Sequence, residues 1–163
     1  MLFRSARLGS VFGPWERASG VRDSLSATLQ MLKLAQRGED IRMPPVEPRR
    51  DWIYSRDVAA GLVSLLRAQA LRHRFYHVAS GRTWPDFHAA WCARLRTLFP
   101  GLRAQVAPSA AEANVAFLGN RDRAPMSAAR IAEDTGIRAQ YDRDRAFDDY
   151  LQWLGAHENY WRS

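Results

Sequence analysis

A short aromatic run that passes directly into a helical pattern constrains the fold of this chain most strongly. The run lies in RRDWIYSRDVAAGLVSLL, residues 49–66. Trp52 to Tyr54 are residue types enriched in strands, and Arg50 would share one strand face with Trp52 and Tyr54. Ser55 can cap the helix that follows, whose apolar face is predicted at Val58, Leu62, Leu65 and Leu66. A strand joined to a helix in this way is a building unit of α/β folds.

The same alternation of strand and helix patterns recurs along the chain. Strands are predicted at residues 6–12, 41–43, 50–54, 74–78 and 102–107. Helices are predicted at residues 25–36, 55–70, 127–135 and 143–157, and from residue 83 or 84 to the break at residues 100–101. We therefore predict an α/β fold in a chain with no internal repeat and no boundary between domains.

The charge of the chain is positive, but its distribution does not select one class of partner. Twenty-four Lys and Arg residues against 17 Asp and Glu residues give 24 − 17 = +7, so a nucleic-acid partner must be considered. Lys33 is the only lysine, and the arginines are scattered from Arg4 to Arg162 rather than clustered. Nucleic-acid binding is therefore not the favoured interpretation.

Metal, disulfide and membrane chemistry receive no support from the sequence. Cys92 is the only cysteine and is predicted to be a buried, inert thiol. The four histidines, at positions 73, 77, 88 and 157, have no partner at a metal-ligand spacing, so no metal site is predicted. Neither a run of membrane-spanning length nor a secretory signal is recognisable, and we expect a cytoplasmic protein.

Three arginines are candidates for binding an anion. Arg50 precedes a strand that looks buried, and its planar guanidinium can donate to a phosphate or a carboxylate. Arg121 and Arg123 lie in the irregular stretch GNRDRAPM and could converge on the same anion. Each arginine could instead form a surface ion pair, and Asp51 is the competing partner for Arg50. The residues alone leave these two alternatives open.

Four segments of the chain form an ordered set of motifs. The first is RLGSVFGP at residues 7–14, and the second is the stretch at residues 49–66. The third is FYHVASGRTWPDFHAAW at residues 75–91, and the last begins with APMSAARIAEDTGIRAQ at residue 124. Taken in this order, they resemble the extended short-chain dehydrogenases/reductases, the NAD-dependent epimerase/dehydratase family that includes UDP-glucose 4-epimerases. The resemblance covers nearly the whole chain but only the C-terminal half of the family pattern.

The resemblance implies a Rossmann-type fold with a small substrate-binding domain, and it implies roles for particular residues. Leu8, Gly9 and Ser10 would lie near the nicotinamide of NAD or NADP, and Ser10 would also touch substrate. Arg50 would contact the phosphates of a nucleotide sugar, with Arg121 and Arg123 as further substrate-binding candidates. Ser10, His77 and Met126-Ser127 differ from the usual family residues, so a free sugar acid or another polyol-like substrate stays open.

No catalytic residue is predicted in this chain. The family's Tyr-x-x-x-Lys pair requires a lysine, and the residue four positions before Lys33 is Leu29. A Gly-x-Gly-x-x-Gly loop for the dinucleotide is also missing from the sequence. We therefore expect one partial domain, with residues 1–5 as a non-native extension and residues 6–163 as the C-terminal half of a family member.

These expectations lead to two alternative functions. In the first, the chain is the substrate-binding part of an NAD(P)-dependent epimerase, dehydratase or dehydrogenase, a homodimer acting on a sugar or nucleotide sugar. The fragment alone would be inactive and would bind neither NAD nor NADP. In the second, it is a non-catalytic module that binds anions or nucleic acid by charge.

Overall fold

The computed structural model describes residues 4–20, 24–117 and 121–162, which form an α/β fold. Three pairs of parallel strands are flanked by helices. The strands are β1 Ser5–Leu8, β2 Ser10–Phe12, β3 Ile41–Met43, β4 Trp52–Tyr54, β5 Phe75–Val78 and β6 Ala104–Val106. The helices are α1 Ala27–Gln36, α2 Ser55–Arg67, α3 Phe87–Leu98, α4 Ala129–Thr135, α5 Arg143–Ala156 and α6 Glu158–Trp161. Of the extension expected at residues 1–5, residues 1–3 lie outside the described part of the chain.

The strand predicted at residues 6–12 is two strands that pair with different partners. β1 pairs with β5, whereas β2 pairs with β4, and both pairs are parallel. The change occurs at Gly9, whose N–H donates to the Val78 carbonyl at 3.2 Å. The next N–H, that of Ser10, donates to the Asp51 carbonyl at 2.7 Å. The chain therefore changes its hydrogen-bonding partner within one residue. β3 and β6 form the third parallel pair.

Strand β4 lies between two hydrophobic cores, which explains why all of its residues are buried. Trp52 and Tyr54 face the larger core, and Ile53, on the opposite face, packs in the smaller core. This alternation is the expected consequence of strand geometry. Aromatic rings dominate the larger core, where Phe12 contacts five of them: Trp52, Tyr54, Trp84, Phe87 and Phe147.

The buried face of α2 differs from the predicted one. Val58 is buried as expected, but Leu62 is 36% exposed and Leu66 is 85% exposed. The reason is Gly61, which lets the helix approach β5: a Cβ built there would lie 2.7 Å from Cγ1 of Val78. Contact through the glycine turns Leu62 and Leu66 away from the core. The helical spacing was therefore right, but the face assigned to it was partly wrong.

The predicted cap of α2 and the predicted start of α3 are also wrong. Ser55 is the first residue of α2, and the N-cap is Tyr54, which makes no capping bond through its side chain. Helix α3 begins at Phe87 rather than at residue 83 or 84, because Asp86 adopts a left-handed conformation with φ of 52°. Helix α6 was not predicted as a separate element. Cys92 is buried as expected, and burial raises the pKa of its thiol to about 11.

Helix α4 is fixed to β5 through one carboxylate. Asp134 Oδ2 accepts hydrogen bonds from the Tyr76 hydroxyl at 2.5 Å and from the Arg72 backbone N–H at 2.9 Å. Its Oδ1 accepts from Nε of Arg72 at 2.5 Å. The Tyr76 hydroxyl is the main cause, followed by the Arg72 N–H, of a pKa lowered to about 2.

Replacing a buried leucine should destabilise the protein far more than replacing an exposed one. Leu95 in α3 is fully buried, whereas Leu66 in α2 is 85% exposed. We expect Leu95→Ala to lower the free energy of unfolding by about 2–5 kcal/mol. The matched Leu66→Ala should change it by less than about 0.5 kcal/mol. Urea unfolding followed by circular dichroism measures both, and equal losses would contradict the assignment of the core.

The lowered pKa of Asp134 predicts a particular dependence of stability on pH. Because its pKa is about 2 in the folded protein and about 3.9 in an unfolded chain, its stabilisation is present above about pH 4 and is lost towards about pH 2. Asp134→Asn should therefore be less stable than the unchanged protein at about pH 6, with a smaller difference at about pH 3. Asp148→Asn, at an exposed aspartate that pairs with Arg94, is the control. A pH-independent difference for Asp134→Asn in urea unfolding would refute the prediction.

Candidate functional site

A cleft of about 500 Å³ opens where β1 gives way to β2. A volume of this size suits a small-molecule ligand. Its lining includes five of the residues selected from the sequence: Leu8, Gly9, Ser10, Arg50 and Arg123. Residues far apart in the sequence therefore meet around one space.

Arg121 is placed differently from the other candidates. Its side chain is exposed and does not line the cleft. Its backbone carbonyl accepts a hydrogen bond from Nη1 of Arg50 at 2.8 Å. In this structure Arg121 therefore orients Arg50 through its main chain.

Arg50 and Arg123 bring two positive charges to the same cleft. Arg50 is 5% exposed, and burial is the main cause that lowers the pKa of its guanidinium. The charge of Arg123 lowers that pKa further, and the charge of Asp122 acts in the opposite direction. The carboxylate of Asp122 accepts the backbone N–H and Nε of Arg49, both at 2.9 Å. A ligand that carries negative charge would relieve the repulsion between the two arginines.

Asp51 is the candidate ion-pair partner of Arg50 in the sequence, but in the structure its carboxylate binds other groups. Oδ1 accepts from the backbone N–H of Ser80 at 2.8 Å and from its hydroxyl at 2.9 Å. Oδ2 accepts from the N–H groups of Gly81 at 3.1 Å and Met126 at 2.8 Å. Residue spacing alone does not predict this role. The signal available was an aspartate beside a strand that was predicted to be buried, since a buried carboxylate needs several donors.

The N-terminus of α1 forms another wall of the cleft. Ser26 caps the helix, because its Oγ accepts the N–H of Leu29 at 3.2 Å. Glu16 in turn accepts the N–H of Ser26 at 2.7 Å and also its hydroxyl hydrogen bond. The positive end of the helix dipole is thereby partly offset by the Glu16 carboxylate. The main source of positive charge in the cleft is therefore the arginine pair.

Aromatic side chains also line the cleft. Trp52 and Phe117 both line the cleft, and Trp52 is stacked on Phe87 with ring centroids 4.1 Å apart. Phe117 packs edge-on against His88 at 4.8 Å. These rings offer an apolar surface next to the two arginines. Such a combination suits a ligand with an anionic part and a flat or hydrophobic part.

The described residues include neither a cluster of metal ligands nor a helix that could span a membrane. Within residues 4–20, 24–117 and 121–162, no three His, Cys, Asp or Glu side chains are grouped so that they could hold a metal ion. Over the same ranges, every helix is too short or too polar to cross a membrane.

Comparisons with known proteins agree with the motifs and with the fold. Residues 1–79 match the model of the NAD dependent epimerase/dehydratase family. No curated protein gives a significant match to the chain. Solved structures of epimerases are similar to it over almost its whole length.

Three such structures illustrate the extent of the similarity. An epimerase from Methanothermobacter thermautotrophicus superposes with a TM-score of 0.71 at 16% identity, over 96% of this chain and 44% of its own. Helicobacter pylori ADP-L-glycero-D-manno-heptose-6-epimerase superposes with a TM-score of 0.67 at 18% identity, over 93% of this chain and 43% of its own. UDP-glucose 4-epimerase from Bifidobacterium longum, in complex with NAD+ and UDP, superposes with a TM-score of 0.63 at 15% identity, over 94% of this chain and 48% of its own.

The predicted family resemblance and fold class are therefore confirmed. Residues 1–79 resemble the NAD-dependent epimerases/dehydratases, and the chain shares part of the Rossmann-type α/β fold of the solved epimerases. It spans 43–48% of the length of the three structures.

The turn at Gly9 should not tolerate a side chain. A Cβ built at Gly9 would lie 2.7 Å from the Asp51 carbonyl oxygen, a backbone atom that also accepts the Ser10 N–H. Gly9→Ala is expected to lower the free energy of unfolding by about 1–3 kcal/mol, as overpacking does in a close-packed region. Gly101→Ala is the control, since a Cβ there meets no atom within 4 Å. Denaturant unfolding of both variants is the measurement, and equal stability would contradict the close approach.

Proposed function

We propose that this chain supplies the anion-binding wall of the substrate site in an NAD(P)-dependent epimerase, dehydratase or dehydrogenase. The substrate would be a sugar or a nucleotide sugar. The observation that carries the proposal is the meeting of Arg50 and Arg123 with Leu8, Gly9 and Ser10 in one cleft. In this proposal, residues 6–163 correspond to the substrate-binding part of such an enzyme.

The arginine pair would recognise the negative charge of the substrate. A guanidinium presents its N–H donors in a plane, so that two oxygens of a phosphate can be bound together. Arg50 is held by the Arg121 carbonyl at 2.8 Å, which limits the rotamers of its side chain before a ligand arrives. Trp52 and Phe117 would pack against the flat or apolar part of the ligand.

The end of β1 would form only one edge of the cofactor site. Leu8, Gly9 and Ser10 border the cleft, and their backbone could approach a nicotinamide. NAD(P), when bound, would supply hydride-transfer chemistry, which no side chain can provide. Because this chain holds no Gly-x-Gly-x-x-Gly loop and no Tyr-x-x-x-Lys pair, we expect it to bind NAD weakly or not at all.

Finer features of the proposal come from the family resemblance. They are a homodimeric parent enzyme and a cytoplasmic location.

The second candidate function, a module that binds anions or nucleic acid by charge alone, is favoured by the net charge of +7. The two candidates differ in their response to salt, because charge-only binding to a nucleic acid weakens steeply as the salt concentration rises.

Binding to the purified chain tests the proposal. UDP and UDP-glucose are titrated by calorimetry, with NAD and a random single-stranded oligonucleotide as further ligands, each over a series of salt concentrations. We expect UDP to bind and Arg50→Ala to weaken it by about tenfold or more, the size typical of losing a hydrogen bond to a charged group. Arg50→Lys should restore binding only in part, because lysine lacks the planar fork.

The control is Arg103→Ala, at an exposed arginine that pairs with Asp40 away from the cleft. It should leave UDP binding unchanged. Equal losses in Arg50→Ala and Arg103→Ala would indicate general charge attraction instead of a site. Preferential oligonucleotide binding with a steep salt dependence would support the alternative module.

A further inference from the structure

We infer that Asp51 is a positioning residue that holds Arg50 and Arg123 at the spacing needed to bind one diphosphate group. The inference rests on the proposed function of the cleft as an anion site. It goes beyond that proposal because Asp51 does not line the cleft and would act only through the two arginines.

Both oxygens of the Asp51 carboxylate are fully used. Four donors reach them: the Ser80 N–H and hydroxyl, the Gly81 N–H and the Met126 N–H, at 2.8–3.1 Å. The residue is 5% exposed, so water does not compete strongly for these bonds. Charge-assisted bonds in a buried place are strong, and removing the acceptor would leave several buried donors unsatisfied.

The four bonds connect Asp51 to the segment that carries the second arginine. Met126 follows Arg123 by three residues, and the Arg123 N–H donates to the Arg49 carbonyl at 3.0 Å. Residues 121–126 are therefore attached along residues 49–51 at several points. Another attachment, the ion pair of Arg49 with Asp122, is largely exposed, with side chains 73% and 51% accessible. Exposed pairs contribute little, so two less exposed side-chain bonds matter more: the Met126 N–H to Asp51 and Nη1 of Arg50 to the Arg121 carbonyl, both at 2.8 Å. Of these, only the bond to Asp51 holds the segment on the C-terminal side of Arg123.

A firm attachment is needed because the two arginines repel each other. The charge of Arg123 disfavours the charged form of Arg50. Without Asp51, residues 121–126 could move outward and take Arg123 away from Arg50. A single phosphate could still bind one arginine, but a diphosphate would lose the simultaneous contact with both. Asp51 would thus determine the preference for diphosphate over phosphate.

The test is a double-mutant cycle in which inorganic diphosphate and inorganic phosphate are the ligands. In the unchanged chain, Arg123→Ala should weaken diphosphate binding by about tenfold or more. In the Asp51→Asn chain, Arg123→Ala should weaken diphosphate binding by less than about twofold, because Arg123 no longer contacts the same diphosphate as Arg50. Asp51→Asn itself should lose the preference for diphosphate. A merely structural role would lower stability but leave the effect of Arg123→Ala unchanged.

Asp57→Asn is the matched control. Asp57 is also a buried aspartate, 7% exposed, and it accepts the backbone N–H groups of Gln140 and Tyr141. Neither Asp57 nor these partners line the cleft. This variant should lose stability but keep both the preference for diphosphate and the full effect of Arg123→Ala. Additive effects of Asp51→Asn and Arg123→Ala would overturn the inference.

Two further measurements apply if Asp51→Asn does not fold or if the unchanged chain binds no diphosphate. If Asp51→Asn does not fold, Met126→Pro removes the donor N–H instead and should give the same loss of preference. If the unchanged chain binds no diphosphate, the proposed function fails. Hydrogen exchange then decides whether Asp51 holds the segment: the Met126 N–H should exchange at least about tenfold faster in Asp51→Asn, as expected for the loss of a bond to a charged group. Unchanged exchange at Met126 would overturn the inference.

Discussion

The structure depends on the close approach of two backbone segments, Gly9-Ser10 and Asp51. Here the N–H of Gly9, between β1 and β2, donates to Val78 of β5, and the N–H of Ser10 in β2 donates to Asp51, the residue before β4. The approach is possible because residue 9 is a glycine. A Cβ at this position would lie only 2.7 Å from the Asp51 carbonyl oxygen. The change of partner separates the two strand pairs, and the cleft of about 500 Å³ opens where it occurs.

Burial of charge distinguishes the cleft from the rest of the basic surface. Outside the cleft, arginines such as Arg56 and Arg94 form ion pairs with aspartates on α5, and such partly exposed pairs contribute little to stability. Arg50 is 5% exposed and is repelled by the charge of Arg123, so its charged form is costly, and its hydrogen bond to the Arg121 carbonyl offsets part of that cost. Sites at which a protein sustains such a cost are frequently ligand sites. This is the physical reason for proposing that an anion binds in this cleft rather than elsewhere on the chain.

The sequence predicted most elements, and its errors have identifiable causes. β3 matches its predicted residues, and the last long helix, α5, ends one residue before its predicted end. The predicted strand at residues 6–12 is two strands, because periodicity does not reveal which partner each N–H meets. The exposed positions of Leu62 and Leu66 follow from the packing of Gly61 against Val78, which is a contact between distant segments. The cap assigned to Ser55 failed because Tyr54 already occupies the N-cap position as the last residue of β4.

The sequence by itself determined the α/β class, the family resemblance and the residue types suited to an anion. These depend on local spacing and on short ordered motifs, which can be read along the chain. The meeting of Leu8, Gly9, Ser10, Arg50 and Arg123 in one cleft was decided only by the tertiary structure. The same holds for Asp51, whose carboxylate binds Ser80, Gly81 and Met126 rather than its neighbour Arg50. The physical reason is that a buried carboxylate bonds to whichever donors the fold brings within reach, and those donors lie 29–75 residues away along the chain.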